Sequence, residues 1–146
     1  MKSYKPLAGA IALAGILAVA VYYSFFCQVT VLGEGTVLSI PSKGHLQYGF
    51  NEPSSFGNHA TYGAFSSNNG VTLYVMSAAQ FSNFTSGIST PVVYSSGQVT
   101  SATLDNGSKG SLGLLRAPGH YYFVFYNDGY STTSVTITHS FSVVTC

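Results

Sequence analysis

Four histidines, four acids and two cysteines are the side chains of this chain suited to proton transfer, metal ligation or covalent bonding. The acids, Glu34, Glu52, Asp105 and Asp128, are scattered, and three of them fall among turn residues. They read as solvated loop acids rather than as the two neighbouring carboxylates that acid–base or glycosidic chemistry needs. His45, His59, His120 and His139 show none of the short spacings of a zinc site. A copper loop would hold Cys, His and Met together near the end of the chain, and Met76 is remote from Cys146. His139 is expected on an apolar strand face, as a hydrogen-bonded core histidine or, in the sharper alternative, a metal ligand. G-x-S-x-G, H-E-x-x-H, G-x-x-x-x-G-K and C-x-x-C are absent. The many serines have no recognisable His and Asp arrangement beside them. These residues assign no catalytic group, no metal ligand and no cofactor, and the chain is expected not to be an enzyme.

The cysteines carry a different chemistry. Cys27 directly follows an apolar run and Cys146 is the last residue. If the first strand leaves a membrane and the last returns beside it, the two sulfurs meet at the membrane-proximal base. Closing so long a loop stabilises by up to about 4.7 kcal/mol on the chain-entropy model, and an oxidising exterior permits it. The other reading is two unpaired or intermolecular thiols at frayed ends. Asn83-Phe84-Thr85 and Asn106-Gly107-Ser108 are glycosylation sequons, both expected in turn-like stretches on the exposed side.

The element that positions everything else is the run from 6 to 26, PLAGAIALAGILAVAVYYSFF, which has no charged side chain. Its 21 residues would span about 31 Å as a helix, matching a hydrocarbon core of about 30 Å. Lys2 and Lys5 precede it, while the first charges after it are Glu34 and Lys43. The positive-inside bias therefore predicts a cytoplasmic segment 1–5, a transmembrane signal anchor 6–26 and an extracytoplasmic domain 27–146. Tyr22 and Tyr23 fall where aromatic rings favour the headgroup level. The same residues also allow a cleaved signal peptide ending at Ala18-Val19-Ala20, although the apolar run continues past the usual core of about 7 to 15 residues. A lipid anchor on Cys27 is disfavoured by the bulky Phe25 and Phe26 before it. Ala10, Ala14 and Ala18 recur every fourth residue, a spacing that lets two membrane helices approach.

Only 6% of the residues are charged, against about 25% in an ordinary soluble protein. Segment 27–146 carries Lys43, Lys109 and Arg116 against four acids, a net charge of −1. Nucleic-acid binding, which rests on Lys and Arg at phosphates, is excluded. From Gln28 onward the apolar residues follow period two, interrupted by turn residues, which predicts an all-β fold: a single antiparallel sandwich, jelly-roll-like, behind the one helix. Strands are expected near 28–33, 35–41, 44–51, 59–66, 71–77, 91–95, 98–104, 111–116, 120–127 and 132–145. Asn68-Asn69-Gly70 predicts a tight hairpin between 61–65 and 71–75. Ser77 and Gln80 have capping-box spacing ahead of Phe81 and Phe84, so a short helical turn is expected there. Tyr121 to Tyr126 is apolar on both faces, as a central strand covered on both sides would be.

The stretch Pro118-Gly119-His120-Tyr121-Tyr122-Phe123-Val124-Phe125-Tyr126-Asn127 resembles the closing motif of Golgi-dynamics (GOLD) domains, G-x-Y-x-x-C-F-x-N, at Gly119, Tyr121, Phe125 and Asn127. The resemblance implies a sandwich used for protein or ligand contact, as in small membrane-tethered prokaryotic, including archaeal, proteins. Val124 stands where cargo-receptor members have cysteine, so their internal disulfide does not carry over, and the anchor is N-terminal rather than C-terminal. Three roles follow as expectations. The first is a non-catalytic binding domain held at the cell surface by the bilayer through 6–26, its partner an unidentified protein or glycan. The second is a cleaved structural subunit of a filament or coat, joined by strand addition to an open edge, for which the Ser- and Thr-rich final strand is suited. The third is a carbohydrate-binding module using tyrosine-rich loops around Tyr48 to Tyr62 and at Tyr130.

Overall fold

The computed structural model describes residues 17, 28–52, 60–105 and 117–144, and among these, alternation of apolar and polar residues lays down seven antiparallel strands. The strands are β1 (Gln28–Leu32), β2 (Val37–Ile40), β3 (His45–Glu52), β4 (Ala60–Ser77), β5 (Tyr94–Asp105), β6 (Gly119–Tyr126) and β7 (Thr133–Val144). One helix, α1 (Ala78–Thr85), follows β4. The all-β class expected from period two is thus what the chain adopts. Cys27, Cys146, Asn106, His59, the run 6–26 apart from the helical Leu17, and the expected strand 111–116 lie outside the described residues.

The sheet runs β1-β7-β4-β6-β3, with β2 also on β7 and β5 also on β4. Its organiser is β4, whose 18 residues would reach about 60 Å if straight and which therefore serves two layers. Its first half, Ala60–Ser67, pairs with β7, and its second half, Thr72–Ser77, pairs with β6. Along its other side β5 follows it through both halves. The two halves of the sheet fold over each other, and four fully buried phenylalanines fill the space between. Phe141 of β7 lies edge-on to Phe123 and Phe125 of β6 at 5.2 and 5.4 Å, and Phe65 of β4 meets Phe125 at 5.5 Å. Each such ring contributes about 1.5–3 kcal/mol by burial, and edge-on pairs add about 0.5–1.5 kcal/mol more. Gly63 permits this packing, since a Cβ there would stand 2.5 Å from the Phe141 ring.

Two expectations about local structure are corrected. Asn68-Asn69-Gly70 makes no hairpin: none of the three has the positive φ that a tight two-residue hairpin turn demands. Instead β4 passes straight through, with an irregular register between Ser66 and Val71, where the Asn68 carboxamide oxygen accepts from Ser134 N at 2.9 Å. Likewise 91–95 and 98–104 are not separate strands. They merge in β5 across Gly97, at φ +68°, while the Ser96 hydroxyl accepts from Leu73 N at 2.9 Å where the ladder shifts.

The final strand alternates as expected at Val135, Ile137, Phe141 and Val143, all buried. His139 breaks the pattern and is exposed, because β7 changes register against both β1 and β4 in this stretch. Nor is β7 an edge, since β1 and β2 cover one side and β4 the other. Among the described residues the edges are β1 with β2, β3, and the outer side of β5. At β1 and β3 the two layers nearly close into a barrel, leaving a cleft of about 440 Å³ lined by Val29, Val31, Phe50 and Val143 among others.

Candidate binding face

Two turns lock together at one end of the fold. Between β2 and β3, Lys43 N donates to Gly129 O at 3.1 Å and the Ser42 hydroxyl donates to the same oxygen at 3.1 Å. Between β6 and β7, Asn127 N donates to Gly44 O at 2.9 Å. The Asn127 side chain is fully buried and ties both turns: it donates to Ile40 O, Pro41 O and Ser131 O at 3.3, 3.1 and 2.7 Å. It also accepts from Gly129 N at 2.9 Å, the capping role that its place before Asp128-Gly129 predicts.

On this frame sits the one ion pair among the described residues. Lys43 Nζ donates to Asp128 Oδ1 at 2.8 Å, with both side chains well exposed. The Tyr126 hydroxyl donates to the same oxygen at 3.2 Å. The ammonium also lies 4.4 Å from the centre of the Tyr130 ring, a residue 90% exposed. Lys43 has φ +54°, the one non-glycine described residue with positive φ. Such strain persists where surrounding structure holds it, and it concentrates at working surfaces. The hydrogen bond and charge of Lys43 hold the Asp128 carboxyl below its usual range, the Tyr126 hydroxyl acting the same way. Burial, and then the charge of Asp128, push the Tyr126 phenol up.

From Tyr126 an aromatic strip continues over the outer face of β3 and β6. The Ser77 hydroxyl accepts from Gln80 N and the Gln80 side chain from Ser77 N, so the expected capping box starts α1. The helix lowers Phe84 onto Tyr74, Tyr126 and His45, and Phe81 onto Tyr122 and His45. This cover explains why β6 is apolar on both faces. At the far end, His120 stands edge-on to Tyr122, with its Nδ1 2.5 Å from Asn51 Oδ1.

The expected chemical residues do not converge. Glu34 lies in the turn after β1, Asp105 at the end of β5, and Asp128 after β6. Glu52 corrects the reading of solvated loop acids: it ends β3 on the core side and is 2% exposed. Among the described residues no three His, Cys, Asp or Glu side chains gather as metal ligands would. Asn83 lies on α1, half-buried, and not in a turn as expected. Tyr48 is not a loop residue either, but packs against Phe125 from β3. The pairing of Lys43 with Asp128 and Tyr130 was not legible in the sequence. Its single trace is that charges are so scarce.

No family model and no curated protein matches the chain.

Proposed function

We propose that this chain is a signal-anchored protein whose residues 6–26 cross the bilayer and whose β body faces outward and acts by non-catalytic binding. The observation that carries this role is the uncharged run ending just ahead of β1. A body whose first strand starts at Gln28 is held against the membrane, so its reach is set by where its loops point. Pairing of Gln28 with Val144 supports a Cys27–Cys146 staple, because Cys27 directly precedes Gln28 in the sequence and Cys146 follows Val144 by two residues. Three of the residues that carry the likeness to GOLD domains are architectural in this fold. Tyr121 packs on Phe50 and its hydroxyl donates to Ala117 O at 2.7 Å, Phe125 fills the core, and Asn127 locks the turns. Among the described residues no helix is long and apolar enough to cross a membrane, and the run itself lies outside them. Alkaline extraction of native membranes, followed by protease treatment of intact cells, tests the proposal. The chain should stay in the pellet and lose its body to the external protease. Release into the supernatant would refute it.

The cleft between β1 and β3 favours a second role, that of an assembling subunit. Four antiparallel steps lead from β1 to β3, so a direct ladder between them would have to be parallel. One added strand, antiparallel to both, would close the barrel by the strand addition seen in assembling sheets. Electron microscopy of surface material showing filaments built of this chain would establish that role.

A further inference from the structure

We infer that the cluster of Lys43, Asp128, Tyr126 and Tyr130 is a binding site for a neutral sugar, given the binding role proposed above. Four features point to this ligand class. First, the ring of Tyr130 is 90% exposed, at the tip of a turn, where a large rigid aromatic offers contact area at little entropic cost. Such a ring stacks against the C–H face of a pyranose as readily as against a side chain. Second, the polar groups beside it keep unused capacity of both kinds. An ammonium has three donors and a carboxylate about four acceptor positions; the contacts with Asp128 Oδ1 use one of the former and two of the latter. A vicinal diol needs both kinds within one ring's width.

Third, the charges cancel. An anionic ligand would have to face Asp128 and a cationic one Lys43, each at the expense of the 2.8 Å pair, whereas an uncharged polyol leaves the pair intact. Phosphate-bearing partners are disfavoured on the same ground. Fourth, the backbone of the two turns that carry the site is pinned before any ligand arrives. Lys43 is held at φ +54°, and its turn is bonded to Gly129 by both Lys43 N and the Ser42 hydroxyl. The opposite turn is fastened by the buried Asn127 carboxamide. Turns fixed in advance lose little backbone freedom on binding, which matters most for a ligand as well hydrated as a sugar.

The test uses the full chain in lipid nanodiscs, since sugar-headgroup detergents would compete. The probes are mannan, cellohexaose and chitohexaose, followed by saturation-transfer NMR and isothermal titration, with Tyr130→Ala and Asp128→Asn as variants. Both residues are exposed, so the melting temperatures of the variants should match the parent. The expected result is saturable binding of at least one neutral glycan, weakened tenfold or more in each variant and insensitive to salt. Failure of all three probes to bind would overturn the inference, and so would binding that survives Tyr130→Ala. If surface cross-linking from this face captures a protein while the glycans fail, the binding role stands and the sugar site falls.

Discussion

Replacing Asn127 tests how the two turns that carry the candidate site are held. Its carboxamide is fully buried and makes four bonds, three as donor and one as acceptor. In Asn127→Ala, Pro41 O keeps Gly44 N at 3.0 Å, and the exposed Ser131 can turn its carbonyl to water. Ile40 O, which is buried, and Gly129 N, which is half-buried, lose this partner; a buried group left unsatisfied costs about 1–3 kcal/mol and a half-buried one less. The expected loss is therefore about 2–4 kcal/mol, a large share of the 5–15 kcal/mol typical of a domain. At a urea slope of about 1.5 kcal/mol per molar it would lower the midpoint by about 2 M. Asn127→Asp adds a sign. Its carboxylate would face three carbonyl oxygens, so the folded state holds the proton more tightly than the unfolded state. Stability is then greatest below the ordinary Asp value of about 4 and falls as pH rises from there through the raised folded value, whereas the alanine variant shows no such trend. Urea melts across pH 3 to 8 decide the matter. An alanine variant within about 0.5 kcal/mol of the parent, or an aspartate variant that gains stability with rising pH, would refute the reasoning.

Other variants and conditions probe other parts of the fold. Gly63→Ala drives a methyl group to within 2.5 Å of the Phe141 ring and should cost about 1–3 kcal/mol as overpacking does; Gly63→Ala combined with Phe141→Leu should recover part of it in the same melts. Acid should do little. The lowered pKa of Asp128 means its contribution is present above its unfolded value and lost as pH falls through the folded one, but the pair is exposed and screened. Melting temperatures at pH 7 and pH 3 should differ by less than about 15 °C, and Lys43→Gln should flatten what difference remains. Alkali acts the other way. Burial raises the pKa of Tyr48 and, with Asp128, of Tyr126, so the contribution of these two phenols to stability is full below the ordinary value of about 10 and is lost as pH rises through their raised folded values. Phenolate absorbance titrations of Tyr48→Phe and Tyr126→Phe against the parent should each lose a phenol that ionises above the ordinary value, and loss of one at or below that value would refute the assignment.

What the sequence made legible was whatever is set by neighbours within a few residues. Period two gave the strand-rich body, the Ser77 and Gln80 spacing gave the capping box, and the doubly apolar Tyr121–Tyr126 gave a strand covered on both sides. What depends on long-range pairing was hidden. Asn68-Asn69-Gly70 has the composition of a hairpin, yet β7 and β5 flank β4 in front of it and β6 behind, so the strand runs on and the turn preference is overridden. His139 was expected inside because alternation assumes an unbroken register, and β7 slips against both neighbours. Glu52 reads as a loop acid from its neighbours Asn51 and Pro53, while the ladder with β6 carries it to the core side. Lys43 and Asp128 stand 85 residues apart, and no local pattern brings them together. Their meeting depends on the Asn127 carboxamide, whose importance the sequence suggested only through the turn it caps.

The central claim is that a membrane-held leader presents this β body outside the cell. It is tested most directly by the intact mass of the native chain, extracted from membranes and treated to remove glycans. The account predicts the full 15.4 kDa chain, lighter by two hydrogens for a Cys27–Cys146 bridge and recovered only with detergent. A freely soluble species beginning at Val21 would contradict it.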